Sequence, residues 1–279
     1  MTRRVALPDG TAIAALGQGT WHMGERGADR AAQAAALRLG IELGMTLIDT
    51  AEMYADGGAE EVVAEAMRGQ RDQVFLVSKV YPHNASFHGV QDACARSLRR
   101  LKTDRIDLYL LHLPGSHPVE QTIAGFQALR RAGHIRHWGV SNFDAAGMRA
   151  VRAAPGGSDC ATDQVLYHPD ERGIEFDLLP WCAAQAMPVM AYSPVGQAGR
   201  LLRSAALAAV GARHGATPAQ VAIAWAMRGG DVIAIPKAAD PAHVRLNAAA
   251  GRLALTAADL AAIDAAHPPP RRRQNLAML

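Results

Sequence analysis

Brief apolar runs alternate with longer Ala-rich stretches along almost the whole chain. The runs are rich in Val, Ile and Leu. They cover residues 15–17, 46–49, 74–79, 106–111, 135–140, 161–165, 189–192 and 232–235. Runs this short, bounded by turn residues, read as strands buried on both faces. The stretches between them carry a helical period: 30–43, 60–68, 90–101, 118–132, 144–152, 178–186, the pair 205–214 and 218–227, and 241–249. Asp144 is placed to cap a helix start, and Thr217-Pro218 is a cap followed by proline at the first helical position. Gly44 and Gly133 fall where a helix would end. Ahead of this rhythm, residues 5–7 and 11–13 flank Pro8-Asp9-Gly10 and read as a hairpin. Behind it, a further helix at 257–266 stops at Pro268-Pro269-Pro270, and an irregular tail follows.

Eight strands alternating with eight helical units in 279 residues predict an α/β fold, a (β/α)8 TIM barrel. It would carry an N-terminal hairpin, an additional C-terminal helix and a tail. No Pro/Gly/Ser linker divides the chain, so residues 1–279 read as a single domain. A doubly wound dinucleotide fold would place G-x-G-x-x-G after its first strand. Gly17-Gln18-Gly19-Thr20-Trp21 lacks the third glycine.

Composition narrows the partners. A net charge of +3 gives no electrostatic footprint for nucleic acid or an anionic membrane. No apolar stretch is long enough to span a bilayer, and no signal-peptide core follows Met1. Cys94, Cys160 and Cys182 are odd in number and widely spaced, which suits free thiols in a reducing compartment. The expectation is a cytoplasmic protein, a monomer by default, with a homo-oligomer left open. Of 29 basic residues only Lys79, Lys102 and Lys237 are lysine. Where a chain otherwise uses arginine, a compact ammonium draws attention.

In a barrel, chemistry gathers at the C-terminal ends of the strands. Here the second strand runs into Asp49 and, five residues on, Tyr54; the third ends in Lys79; the fourth leads to His112. A phenol titrates near 10 and is a poor acid at neutral pH. A neighbouring ammonium lowers that value, and a carboxylate beside the lysine keeps it charged and oriented. A histidine can hydrogen-bond a carbonyl oxygen. The set is a tuned proton donor with no nucleophile and with poor metal ligands, so no metal is expected. It lacks an electron source, which a hydride-donating cofactor would supply.

With these residues in place, the chain resembles the aldo-keto reductase superfamily. The resemblance runs through Leu16-Gly17-Gln18-Gly19-Thr20-Trp21, Asp49-Thr50-Ala51-Glu52-Met53-Tyr54, Val77-Ser78-Lys79, Leu110-Leu111-His112, Gly139-Val140-Ser141-Asn142-Phe143, Gln164-Val165-Leu166-Tyr167-His168, Ala191-Tyr192-Ser193-Pro194 and Ile235-Pro236-Lys237. Within the superfamily it looks most like the bacterial branch that includes methylglyoxal reductases. The resemblance implies reduction of a small aldehyde, dicarbonyl or ketone with NADPH, or possible use of NADH. Asp49, Tyr54, Lys79 and His112 would be the catalytic tetrad, with Tyr54 as general acid. The resemblance further implies that Ser141, Asn142 and Gln164 bind the carboxamide and that Tyr192 stacks on the nicotinamide. Ser193, Val195 and Gly196 would meet the pyrophosphate, Lys237 the 2′-phosphate, and Asn247 the adenine side. His243 stands where the family often has an adenine-stacking arginine, and Ala238 where it commonly has Ser or Thr. Both changes reduce the expected preference for NADPH over NADH. Asp163 replaces a frequent asparagine, and Leu113-Pro114 follows the histidine where many relatives have tryptophan and a polar residue. Trp21, Met53, Tyr81 and Leu113 are candidate substrate-pocket residues.

Two other functions fit the same fold: a metal-assisted hydrolase, and a cofactor-binding subunit that senses redox state with little turnover. The remaining signals are weak. Arg271-Arg272-Arg273 suits a solvated tail, His83 and His88 a surface loop, and Glu60 and Glu61 the first turn of a helix, where acids suit its dipole.

Overall fold

The computed structural model describes residues 3–279. Strands β1 (Arg4–Ala6) and β2 (Ala12–Ala14) pair antiparallel. Eight parallel strands follow in sequence order: β3 (Gly17–Gly19), β4 (Leu47–Asp49), β5 (Phe75–Val80), β6 (Ile106–Leu111), β7 (Ile135–Ser141), β8 (Cys160–Leu166), β9 (Val189–Tyr192) and β10 (Val232–Ile235). The ring closes between last and first, where Ala234 donates to the Ala15 carbonyl and Gly19 to that of Pro236. Helices α1 (Arg30–Glu42), α2 (Gly58–Ala66), α3 (Phe87–Leu101), α4 (Val119–Arg131), α5 (Ala145–Ala153) and α6 (Leu178–Ala184) connect successive strands. The pair α7 (Ala205–His214) and α8 (Pro218–Ala226) spans β9 to β10, and α9 (Pro241–Ala250) and α10 (Ala257–Ala266) complete the chain. The expected TIM barrel, hairpin and additional C-terminal helix are all present.

Strand alternation sorts the apolar runs into two cores. Leu47, Val77, Leu108, Leu110, Met190 and Ile235 turn inward and pack with Val5, Leu7 and Ile13 of the hairpin region. Ile48, Leu76, Tyr109 and Leu111 turn outward against Val63, Val90 and Phe126 of the helices. The helix starts carry their caps: Asp144 accepts from Gly147 N–H, and Thr217 forms a reciprocal box with Gln220.

Three readings need correction. The first barrel strand lies at Gly17–Gly19 rather than 15–17. Ala15 and Leu16 are buried, but burial is what an apolar run signals, and pairing with Leu47–Asp49 is set by the neighbouring strand. His88 lies in the first turn of α3, not in a loop. The tail is docked: Arg273 pairs with Asp144 (2.9 Å) and Asp177 (3.2 Å), and Leu276 packs on the core. Glu60 and Glu61 sit in the first turn of α2 as expected, and Glu60 is in addition completely buried and ion-paired to Arg100. The three cysteines are free and buried; burial pushes the Cys94 and Cys160 thiols up to about 12 and raises Cys182 as well. No described helix is long and apolar enough to cross a membrane.

Candidate active site

The inward parity that buries Leu47, Val77 and Leu110 also turns the next inward positions, Asp49, Lys79 and His112, toward the C-terminal mouth. Lys79 is wholly buried. Its Nζ donates to Asp49 Oδ2 (2.8 Å), to the Thr50 carbonyl (2.9 Å) and to Tyr54 Oη (3.2 Å). Three acceptors satisfy the three ammonium protons, so a buried cation is tolerated. Burial is the largest single influence and by itself would lower the Lys79 pKa, but the charges and hydrogen bonds of Asp49 and Tyr54 together outweigh it and raise it. Asp49 Oδ1 in turn accepts from Gln164 Nε2 (2.7 Å), so strand β8 also helps to set the pair.

Tyr54 comes from a loop, and the loop is strained. Ala55 (φ 51°) and Asp56 (φ 50°) occupy the left-handed region directly after it, followed by Gly57 (φ 89°). A left-handed non-glycine residue costs about 1–2 kcal/mol, so the surrounding packing must hold this turn in place. The expected lowering of the Tyr54 pKa is not what the structure gives. Burial is the largest influence and raises it, because a phenolate here would lose its water; Lys79 offsets only part. The phenol therefore carries its proton at neutral pH.

His112 meets the Tyr54 ring edge-on, with centroids 5.6 Å apart. Burial, and then the Lys79 charge, lower its pKa to about 3. The imidazole is neutral, and its Nδ1 is buried without a partner. That leaves Nε2 as the ring nitrogen able to hydrogen-bond a ligand in the mouth.

Asp49, Tyr54 and His112 border a cavity of about 560 Å³, which Lys79 reaches only through them. Asp49, Tyr54, His112, Ser141, Asn142, Gln164, Tyr192, Ser193, Val195 and Lys237 line it, as do Trp21, Met53 and Leu113. Tyr81, Gly196, His243 and Asn247 do not. The Tyr81 ring pairs with that of His83, and its N–H donates to Glu52. Gly196 adopts φ 58° one residue past Val195, with its Cα side against Leu201. His243 is exposed in the first turn of α9, and Asn247 is buried one turn later.

The polar lining is mutually ordered. Tyr192 Oη donates to Asn142 Oδ1 (2.9 Å), Asn142 Nδ2 to the His112 carbonyl (3.1 Å) and to Ser141 Oγ (3.0 Å), and Ser141 Oγ to the Gln164 carbonyl (2.7 Å). Asn142 holds a left-handed φ of 64°, which aims its short amide back into this network. At the rim, Lys237 is exposed, and among the described residues no carboxylate lies within ion-pairing distance. A free ammonium at Lys237 and an aromatic face at Tyr192 suit a long anionic cofactor. Among the described residues, no three His, Cys, Asp or Glu side chains are grouped to hold a metal.

The sequence reading missed several parts of the site. Thr20, His22, Gln197 and Leu279 also line the cavity, brought there by loops and by the docked tail. Glu52 and Glu60 were not linked to Tyr54. The available signal was Arg96 and Arg100, one turn apart on α3 and each paired to one of these acids.

The model of the aldo/keto reductase family matches residues 15–268. Methylglyoxal reductase YeaE of Escherichia coli is 55% identical over 271 residues, 96% of this chain and 95% of that protein. The crystal structure of an aldo/keto reductase from Klebsiella pneumoniae in complex with NADP and acetate superposes with a TM-score of 0.97 at 49% identity, covering 100% of both chains. The thermostable aldo-keto reductase Tm1743, in complex with the inhibitor epalrestat, gives 0.87 at 33% identity over 94% of this chain and 98% of that one.

Proposed function

The chain belongs to the aldo/keto reductase family, and from that premise we propose that it reduces a small aldehyde, dicarbonyl or ketone to the alcohol with NADPH. The observation that carries this reading is the buried Lys79 ammonium 3.2 Å from the Tyr54 hydroxyl at the edge of the 560 Å³ cavity. Bound NADPH would supply the hydride. Ser141, Asn142 and Gln164 would hold its carboxamide, Tyr192 its ring, and Ser193 and Val195 its pyrophosphate. Lys237 would pair with its 2′-phosphate. His243 and Asn247 lie outside the cavity lining, so any contact they make would be at the adenosine end.

The chain's own residues divide the rest of the work. Neutral His112 donates a hydrogen bond through Nε2 to the substrate carbonyl oxygen and orients it. Tyr54 Oη delivers its proton to that oxygen as negative charge develops there. Lys79, held by Asp49, stabilises the phenolate left behind, which the low-dielectric site would otherwise disfavour. Trp21, Met53 and Leu113 give the cavity an apolar lining, which suits a small carbonyl compound. Methylglyoxal is the first compound to test, given the 55% identity to the Escherichia coli methylglyoxal reductase.

The decisive variant is Tyr54→Phe, which removes the proton donor and leaves the ring. NADPH oxidation with methylglyoxal, aromatic aldehydes and sugars should fall about 10²–10⁴-fold, the range for losing a general acid. NADPH binding, followed by fluorescence, should stay nearly unchanged. Retained turnover would remove Tyr54 from the acid role. Tight NADPH binding with no carbonyl turned over by the unaltered protein would favour a cofactor-sensing subunit instead.

A further inference from the structure

The segment that carries Tyr54 is tied to strand β5 on both sides of Lys79, and the ties face away from the cavity. Glu52, two residues before Tyr54, accepts from the Tyr81 N–H (2.9 Å) and Asn84 Nδ2 (3.0 Å), and its other oxygen faces Arg96 Nη2 (3.5 Å). Glu60, six residues after Tyr54, accepts from Ser78 Oγ (2.7 Å) and Arg100 Nε (2.6 Å). Ser78 immediately precedes Lys79, and Tyr81 follows it by two. Both arginines come from one face of α3, one turn apart. Between the two ties lies the left-handed turn Ala55-Asp56-Gly57. Arg100 packs directly on it: a Cβ on Gly57 would stand 2.3 Å from the guanidinium Nε.

We propose that Arg100 with Glu60, and Arg96 with Glu52, are positioning residues that hold the Tyr54 phenol against the Lys79 ammonium. Neither pair touches the cavity. They act by fixing the loop that delivers the acid to the strand that delivers the cation. Glu60 and Glu52 are buried carboxylates whose oxygens are taken up by donors from β5, the segment just after it, and α3, so each links three parts of the fold. The left-handed turn behind Tyr54 is unfavourable by itself, and the clamp holds it in place. A displacement of about 1 Å at a reacting group can cost on the order of 100-fold in rate.

This inference rests on the reading of Tyr54 as the acid, and Tyr54→Phe tests that reading separately. The clamp is tested with Glu60→Gln/Arg100→Met, which removes both charges together and so leaves neither buried alone. Turnover with methylglyoxal, the NADPH dissociation constant and the pH dependence of kcat are measured. The groups facing Tyr54 are Lys79 on β5, Asp49 on β4, His112 after β6 and Tyr192 on β9. Relaxing only the Lys79 contact makes the phenol harder to ionise. The double variant should therefore lose roughly 10- to 100-fold in kcat, keep NADPH binding within about twofold, and show the alkaline fall of kcat displaced to higher pH. Arg100→Lys, which retains the charge, should recover most of the rate. Unchanged kcat and an unmoved alkaline limb, with only a lower melting temperature, would make the pairs purely structural and overturn the proposal. Should the double variant not fold, Arg96→Met decides. Glu52→Gln accompanies it, because the Glu52 side chain is only 6% exposed and would otherwise be left as a buried charge without Arg96, and the same displacement of the limb is expected in smaller measure. No displacement in that variant overturns the proposal equally.

Discussion

Replacing Asp163 with asparagine should stabilise the protein by an amount that grows with pH. Asp163 lies on β8 with no solvent exposure. One of its oxygens accepts a long hydrogen bond from the Phe143 N–H (3.5 Å), and the other has no partner. Burial, with no cation beside it, raises its pKa well above the ordinary carboxylate value. For a group whose folded pKa is raised, the full stability is present below the unfolded value of about 3.9 and is lost as pH rises through the folded value. Each pH unit in that window removes about 1.4 kcal/mol from the native protein. Asparagine has nearly the same shape and does not titrate. An unpartnered amide in its place costs roughly 1–3 kcal/mol, much as the orphan carboxyl does, and that cost is the same at every pH. It moves the offset between the two proteins and not the slope. Urea denaturation at several pH values between 4 and 7 should show the variant gaining on the parent by about 1.4 kcal/mol per unit until the folded pKa is passed. Parallel stability curves across that range would refute the reasoning, because they would mean that Asp163 binds its proton equally well in both states.

Two further outcomes are expected. Lys237→Ala should weaken NADPH binding roughly 10- to 100-fold, the value of a hydrogen bond to a charged group, while NADH binding changes little; equal losses for both would take Lys237 off the 2′-phosphate. Arg273→Ala removes two half-exposed ion pairs to Asp144 and Asp177, each worth about 0–1 kcal/mol. Global stability should barely change, while amide exchange in the tail residues 274–278 accelerates; unaltered exchange would show that Leu276 packing alone docks the tail.

Much of the site was legible before any coordinates, for a physical reason. A barrel strand alternates inward and outward, and its C-terminal end opens on the mouth. Polar residues that end apolar runs, such as Lys79 and His112, therefore announce both a face and a place. Tyr54 was harder, because it lies in a loop five residues past Asp49 and not at the end of a strand. Tyr81, a candidate pocket residue by sequence, follows Lys79 by two. The chain turns there, and its N–H is taken up by Glu52 instead.

The sign of the Tyr54 shift was not legible at all. Sequence puts a lysine and a tyrosine at neighbouring strand ends, which argues for a lowered pKa. How much water the phenol loses is a property of the closed barrel, and that loss is the larger effect here. The same holds for Glu60. As a letter in a helix's first turn it suits the dipole; in the fold it is sealed between β5 and α3 and paired to Arg100. The sequence by itself determined the strand order, the inward positions and the chemical types at the mouth, because these follow from periodicity and chain connectivity. The tertiary structure decided burial, charge pairing and the strained turn behind Tyr54, because these depend on contacts between residues distant in the chain.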